Sequence, residues 1–311
     1  MTIALVALAC VFAVVSGIND GGALLGTGLK IPSVRPVVGI LMLMIAVAVV
    51  PLLTSQVAQT FTTRLAPMRG PGGQAAMAVA VLASLIVVTV LSGRGMPTSL
   101  TLAVVGGVTG AGLGWGLPVA AGQVAFVLAV ALAAPFVGGL LAVLVSHLLV
   151  RLADGATLPR WHRAGFAVQC LAYAANDGQK MLAVFIVALG FAGAPVGVCA
   201  LIAVLFGLGT VYGLPRAGRT LSREILASRP LHGVSAELAS GPAVIGCAAA
   251  GAPVSMTQAI AGGLIGAGVA ESTHRVRWHP ATKIVMAWAL TLPASALLAA
   301  ASALLVKGVI A

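Results

Sequence analysis

The sequence predicts an all-α polytopic membrane protein made of two inverted-topology repeats. Three observations predict this fold class: a strongly apolar composition, apolar runs near the length of a membrane-spanning helix, and polar motifs that recur half a chain apart. Of the 311 residues, 60% are hydrophobic and 7% are charged, and the mean hydropathy is +1.13. A soluble domain cannot bury that much apolar surface, so the chain is expected to lie in a bilayer.

The apolar runs favour helices over a membrane β-barrel, because barrel strands alternate in polarity over about ten residues and these runs do not. The first run, "MTIALVALACVFAVV", resembles the core of a signal peptide. No basic residue precedes it and no convincing cleavage site follows, so it is interpreted as the first span.

A glycine-rich stretch occurs twice. "MPTSLTLAVVGGVTGAGLG" at 96–114 and "APVSMTQAIAGGLIGAGVA" at 252–270 match at 9 of 19 positions, at an offset of 156. The dipeptide Asn-Asp also occurs twice, at 19–20 and 176–177, at an offset of 157. Two separate stretches with nearly one offset indicate an internal duplication. The predicted units are 1–155, the first membrane repeat, and 156–311, the second, within one integral membrane unit.

Each half divides into about five apolar segments, which are 3–16, 36–53, 75–92, 96–117 and 124–150, then 164–192, 196–213, 233–250, 253–270 and 284–306. The first segment of each half could continue past its Asn-Asp as a broken helix. The segment pairs 75–92/96–117 and 233–250/253–270 are each joined by a short Gly/Pro turn. They are either full spans or re-entrant hairpins that meet at the membrane midplane.

Basic residues are unevenly distributed between alternate loops. Loops that follow odd-numbered segments hold 13 of them: Lys30, Arg35, Arg94, Arg151, Arg160, Arg163, Arg216, Arg219, Arg223, Arg229, Arg275, Arg277 and Lys283. Even loops and termini hold three: Arg64, Arg69 and Lys307. The positive-inside rule therefore predicts a multi-pass protein of the cell membrane, with its Arg-rich loops cytoplasmic and both termini outside. Five segments per half is an odd number, so the two halves are expected to insert in opposite orientations.

The formal net charge of +11 does not indicate nucleic-acid binding, since the charges lie in short loops between apolar runs. The four cysteines are scattered through apolar runs without metal-ligand spacing, so packing explains them. No resident metal or cofactor is predicted.

Three of the six acidic residues lie in or beside apolar segments: Asp20, Asp177 and Glu237. An ionisable group in a membrane costs several kcal/mol, so it needs a partner or a task. Each aspartate could cap a helix. A helix that starts in the membrane also offers free N–H groups to an anion, so capping and binding are compatible.

Hydroxyl groups recur in register before the glycine-rich helices, as Ser99 and Thr101, and as Ser255 and Thr257 with the amide of Gln258. A single Ser-x-Thr in a membrane helix usually bonds its own backbone. Repetition in both halves favours a site for an anionic oxygen ligand. The glycines also allow close helix packing.

Carboxylates beside an anion repel it unless a proton or a cation neutralises them. We therefore predict coupling of the anion to a proton or cation, with Asp20, Asp177 and Glu237 as carriers. Lys180 lies on the helical face of Asp177. It could simply neutralise Asp177, or it could take the place of a coupling cation, which favours H⁺ over Na⁺.

These motifs resemble those of the inorganic phosphate transporter (PiT) family in its bacterial form. "GINDGGALLGT" resembles the family signature "GANDxANxxGT", and "YAANDGQKM" resembles "HGANDAQKxMG". "MPTSLTLAVVGG" and "APVSMTQAIAGG" resemble its two "LPVSTTHAIVGA" elements, and "AELAS" at 236–240 and "KIVMAWALTLPASALLAA" are also similar. The likeness covers almost the whole chain in family order.

The resemblance implies import of inorganic phosphate by symport with a cation. Phosphate would lie between the Asn-Asp motifs and the Ser/Thr hairpins. Carried over by motif, the substrate site comprises Asn19, Asp20, Ser99, Thr101, Asn176, Asp177, Gln179, Ser255, Thr257 and Gln258. The coupling-ion residues are Asp20, Asp177, Lys180 and Glu237, and Na⁺ could bind at Asn19, Asp20, Asn176 and Asp177.

The sequence departs from the family pattern at Ala23, Leu100, Leu102, Tyr173 and Met256, where the family has polar residues. Because some relatives of this fold resemble sulfate permeases, another tetrahedral oxyanion such as sulfate is the alternative substrate. An intramembrane aspartyl protease, with Asp20 and Asp177 as its dyad, would leave the repeated hydroxyls unexplained. A channel would conduct without coupling. No enzymatic activity is predicted, and the sequence leaves open whether the chain forms a homodimer.

Overall fold

The computed structural model describes residues 2–28, 31–94, 96, 98–224 and 229–310, without the side chains of residues 26, 27, 71, 215–224 and 310. Lys30, which entered the charge count, and Pro97, which precedes the first hydroxyl pair, lie outside the described residues.

The described chain is almost entirely helical, as expected for apolar runs whose backbone groups must be satisfied within each segment. The α-helices are α1 Thr2–Ser16, α2 Gly22–Gly28, α3 Pro36–Leu53, α4 Gln56–Gln59, α5 Pro71–Gly93, α6 Leu100–Trp115, α7 Ala121–Leu152, α8 Leu158–Tyr173, α9 Gln179–Leu189, α10 Val196–Glu224, α11 Pro230–Ala249, α12 Met256–Glu271 and α13 Trp278–Ile310. π-Helical turns occupy Gly17–Gly21, Thr60–Arg64 and Ala174–Gly178.

Six of the described helical stretches are long and apolar enough to cross a membrane: Thr2–Leu25, Pro36–Leu53, Gly72–Gly93, Ala121–Leu152, Val196–Leu214 and Trp278–Val309. Large apolar side chains face outward on these helices; Leu132, Phe136 and Leu140 of α7 are 71%, 72% and 65% exposed. Polar side chains are buried inside the bundle instead. This arrangement confirms the predicted class of multi-pass helical membrane protein.

Both Asn-Asp motifs lie in π-helical turns that interrupt a longer helix. Gly17–Gly21 separates α1 from α2, and Ala174–Gly178 separates α8 from α9. A π-turn changes the direction of side chains locally and is frequent at functional sites. The first segment of each half therefore continues past its motif, as the sequence suggested.

The glycine-rich helix of each half packs on the last helix of the other half, so α6 lies on α13 and α12 lies on α7. A Cβ atom at Gly110 would lie 2.0 Å from the Ala296 carbonyl oxygen, and one at Gly266 would lie 2.0 Å from the Gly139 carbonyl oxygen. Only glycine permits backbones to approach so closely. The expectation that these glycines allow close helix packing is therefore confirmed at both positions.

Helices α6 and α12 contain 16 residues each. They rise about 24 Å, which is less than the roughly 30 Å of a hydrocarbon core. Both begin at buried serines rather than at the protein surface. Neither α6 nor α12 is therefore long enough to cross the hydrocarbon core by itself, whereas α5 is. Whether the segment pairs re-enter, and the opposite orientation of the two repeats, remain predictions.

Two stretches differ from the sequence prediction. The segment 196–213 and the Arg-rich loop after it form one helix to Glu224, so the backbone at Arg216, Arg219 and Arg223 is helical rather than looped. The short helix α4 and the π-turn Thr60–Arg64 were not predicted. Their glutamines and threonines give no apolar run, and they fold because α4 packs against α9.

Candidate functional site

The centre of the site is the buried ammonium group of Lys180, at the start of α9. Its Nζ atom contacts Oδ1 of Asp177, one helical turn earlier, and lies 3.9 Å from Oδ2 of Asp20. It also donates a hydrogen bond of 2.6 Å to the Thr101 hydroxyl. The side chains of Lys180 and Asp177 are fully buried. One cation therefore serves two carboxylates, so a further proton or cation is needed for neutrality.

Asn176 connects the second Asn-Asp motif to the turn before α12. Its Nδ2 donates a 2.5 Å hydrogen bond to the Val254 carbonyl, and its Oδ1 accepts a 3.2 Å bond from the Val254 N–H. The Thr101 hydroxyl, which accepts from Lys180, donates to the same carbonyl at 3.1 Å. The two halves are thus joined at Val254 by side chains that the sequence placed in the site.

The first Asn-Asp motif makes fewer contacts. Asn19 donates to Oδ1 of its neighbour Asp20 at 2.9 Å. Oδ2 of Asp20 is buried without a hydrogen-bond partner among the described residues, and so is Oδ2 of Asp177. These two oxygens are the atoms at which a proton or a cation would be held.

The two serines are capping residues. Ser99 Oγ accepts a 3.2 Å hydrogen bond from the Leu102 N–H at the start of α6, and Ser255 Oγ accepts a 3.4 Å bond from the Gln258 N–H at the start of α12. Ser255 also bonds the Thr257 hydroxyl at 2.8 Å. Both glycine-rich helices thus begin inside the protein, where their N-terminal N–H groups favour an anion.

The two glutamines have different environments. Gln179 Oε1 accepts from the N–H groups of Val57 and Ala58 at 2.8 and 3.3 Å, so it caps α4, while its Nε2 is buried without a hydrogen-bond partner among the described residues. Gln258 is 5% exposed, and its Oε1 has no hydrogen-bond partner among the described residues.

Glu237 lies away from the Lys180 cluster, between α8 and α11. Its Oε1 atom is 3.5 Å from Nε2 of His162, whose Nδ1 is hydrogen-bonded to the Ser33 hydroxyl. His162 was not singled out from the sequence, and the structure buries it completely. Helical spacing could have indicated this, since 162, 166, 169, 173 and 177 share one face of a helix.

A protease dyad requires two carboxyl groups that share one proton. Here the Lys180 ammonium lies between Asp20 and Asp177 and neutralises part of their charge. This geometry disfavours the aspartyl protease alternative.

Comparison with known proteins shows what the chain is similar to. A model of the phosphate transporter family matches residues 164–299. A probable low-affinity inorganic phosphate transporter of Rhizobium meliloti (strain 1021) is 32% identical over 229 residues, which are 66% of this chain and 66% of that protein. The chain belongs to the phosphate transporter family. The matched members of this family are described as transporters, which confirms the prediction that the chain is not an enzyme.

Other members of the family match over different lengths. The Bacillus subtilis (strain 168) protein of the same description is 24% identical over 96% of this chain and 95% of its own length. The Mycobacterium bovis protein is 31% identical, and the match spans 54% of its length. The solved structure titled "The sodium-dependent phosphate transporter" covers 99% of both chains with a TM-score of 0.81 at 18% identity, which shows a common fold.

Proposed function

We propose that the chain imports inorganic phosphate across the cell membrane by symport with a proton. The observation that carries this proposal is the position of Lys180 Nζ, between Asp177 and Asp20 and hydrogen-bonded to Thr101. Membership of the phosphate transporter family and the descriptions of the relatives support phosphate as the substrate.

The arrangement offers an anion several donors in one place. Ser99 and Ser255 are the N-cap residues of α6 and α12, and the Lys180 ammonium lies beside Thr101. Helix N-termini and an ammonium group both attract an anionic phosphate oxygen. The donor set therefore fits a tetrahedral oxyanion, with Thr257 and Gln258 beside it.

The same arrangement favours a proton as the coupling ion. With Asp20 and Asp177 both ionised, the Lys180 ammonium is attracted to the two carboxylates and neutralises one of their two negative charges. A proton on Asp177 breaks the nearer ion pair and leaves only Asp20, at 3.9 Å, so Lys180 becomes more available to a phosphate oxygen. Loss of the proton inside the cell restores the ion pair and expels the anion. Coupling of this kind needs no cation other than H⁺.

Sodium coupling is the competing form of the proposal, because the structural relative is titled sodium-dependent. A sodium ion at Asn19, Asp20, Asn176 and Asp177 would share both carboxylates with the Lys180 ammonium. Repulsion between the two cations disfavours sodium there while Lys180 is charged.

Uptake of labelled phosphate into proteoliposomes tests the proposal. An imposed pH gradient should drive accumulation of phosphate, an Na⁺ gradient should not, and excess sulfate should not compete. Accumulation driven by Na⁺ alone would overturn proton coupling. Abolition of uptake by sulfate would favour the other oxyanion, and uptake without coupling or saturation would indicate a channel.

Two matched variants connect the test to the site. Asp177→Asn should abolish accumulation driven by the pH gradient, because the carboxyl group can no longer release its proton. Asp154→Asn, at an exposed aspartate of the loop between the halves, should accumulate phosphate like the unchanged protein.

The transport direction rests on the predicted topology, with both termini outside and the Arg-rich segments cytoplasmic. A green fluorescent protein fused after residue 311 should remain dark in cells, because it does not fold after export in the unfolded state. A fluorescent fusion would place the C-terminus inside and reverse the proposed orientation.

A further inference from the structure

A second charged pocket lies outside the transport site, where the end of α7 meets the start of α11 and the end of α12. It has a volume of about 420 Å³. Its polar lining consists of Ser146, His147, Arg151, Arg229, His232 and Glu271. The rest of the wall is apolar, so the pocket combines a basic side with a surface suited to hydrocarbon.

The one carboxylate in this lining is already neutralised. Glu271 Oε1 accepts from the Arg229 guanidinium at 2.9 Å and from Arg275 at 2.6 Å, and Oε2 is 3.0 Å from His232 Nε2. The two guanidinium groups outweigh partial burial and hold the pKa of Glu271 below its usual value. Arg151 has no ion-pair partner among the described residues. The pocket is therefore positively charged.

Ser146 gives an independent indication of a ligand. It lines the pocket, it is 5% exposed, and its hydroxyl has no hydrogen-bond partner among the described residues. Buried hydroxyl groups are nearly always hydrogen-bonded, so one that faces a charged pocket requires an explanation. An acceptor oxygen of a bound anion would satisfy it.

We propose that this pocket binds a phosphate group between Arg151 and Arg229, with Ser146 as a further donor. The group belongs either to an anionic phospholipid or to free inorganic phosphate. All three helix ends lie on the side predicted to be cytoplasmic, where the leaflet is negatively charged and basic pockets between helices bind lipid headgroups. This site is separate from the transport site and does not depend on the proposed function.

A bound phosphate group would connect the two halves of the chain. Arg151 belongs to the first half, whereas Arg229 begins the α11–α12 hairpin of the second half. The same hairpin carries Ser255 and Thr257 at its inner end. Occupancy of the pocket would therefore fix the outer end of the hairpin to α7.

The test is the thermal stability of the purified, delipidated full chain, titrated separately with phosphatidylglycerol, phosphatidylcholine and inorganic phosphate. The variants are Arg151→Gln and Ser146→Ala, and the control is Arg160→Gln, an exposed arginine outside the pocket. Arg151→Gln should weaken the binding at least about tenfold, and Ser146→Ala about threefold, since charge-assisted bonds are stronger than neutral ones. Arg160→Gln should have no effect.

The titrations distinguish the two sources. If phosphatidylglycerol stabilises the unchanged protein more than phosphatidylcholine does, and Arg151→Gln loses the difference, the ligand is a lipid. If inorganic phosphate alone gives a thermal stabilisation that Arg151→Gln reduces, the ligand is free phosphate. The stabilisation that remains in that variant then comes from phosphate bound at the transport site.

Two results would overturn the proposal. One is that Arg151→Gln responds to all three additives like the unchanged protein. The other is that Ser146→Ala lowers the stability of the ligand-free protein without weakening binding, because that hydroxyl would then be structural.

Discussion

The two Asn-Asp turns have the same local structure but different surroundings. Each lies in a five-residue π-turn between two α-helices. Three residues after the aspartate, the first half has Ala23 and the second half has Lys180. Asp177 is in contact with that lysine, whereas Oδ2 of Asp20 is 3.9 Å from its Nζ atom. Ala23, at the equivalent position of the first half, carries no charge.

The difference shows that two occurrences of one motif can share a local backbone structure and differ in their chemistry. The turns and the cross-packed glycine helices are the same in both halves. The cation that both carboxylates share comes from one half only. Of the two asparagines, Asn176 bonds the backbone of Val254, whereas Asn19 bonds Asp20. Changes at the shared scaffold should therefore act alike in the two halves, and changes at the site should not.

The largest effect is expected for Lys180→Met, which leaves two buried carboxylates without their cation. Breaking a buried ion pair costs about 3–5 kcal/mol, so the melting temperature should fall sharply and uptake should stop. The double variant Ala23→Lys/Lys180→Met moves the lysine to the equivalent position of the other half. Partial recovery of the melting temperature is expected, and none at all would show that the two turns are not equivalent.

Gly110→Ala and Gly266→Ala should destabilise the protein by similar amounts, about 1–3 kcal/mol each, because each added Cβ meets a backbone carbonyl at 2.0 Å. Gly246→Ala is the control, since a Cβ there meets no atom within 4 Å. Thermal unfolding in detergent measures all three. A large loss at one glycine only would contradict the symmetry of the packing.

Asn176→Ala and Asn19→Ala should differ. Asn176 bonds both backbone groups of Val254, so its loss leaves a buried N–H and C=O with fewer partners and should cost about 1–3 kcal/mol. Among the described residues the Asn19 side chain bonds its neighbour Asp20, so its loss should cost less than about 1 kcal/mol. Equal losses of melting temperature in the two variants would argue against Val254 as the connection.

The smallest effect is expected at the loop that joins the halves, where the hydroxyl of Thr157 and the N–H groups of Thr157 and Ala156 donate to Asp154. These bonds lower the pKa of Asp154 below its usual value. The lowered pKa means that the carboxylate stabilises the fold above the ordinary aspartate pKa of about 3.9 and that this contribution is lost as pH falls through the lowered value. Asp154→Asn should therefore unfold slightly earlier at neutral pH and match the unchanged protein in strong acid.

Much of the fold and of the site's composition could be predicted from the sequence. Hydropathy gave the bounds of α3 to the residue, and the repeated Asn-Asp indicated two broken helices. The short helix α4 was missed because its polar residues give no apolar run and α4 packs against α9. The helical extent of α10 was missed because the Arg-rich stretch after residue 213 gives no apolar run.

The sequence by itself determined the membrane class, the recurrence of the polar motifs and the residues that carry charge, since each of these depends on local composition and spacing. Only the tertiary structure decided that Lys180 lies between Asp177 and Asp20, that Asn176 holds Val254, and that Glu237 pairs with His162 away from the site. The physical reason is that a buried polar group requires a partner, and the packing of helices distant in sequence determines which partner it meets.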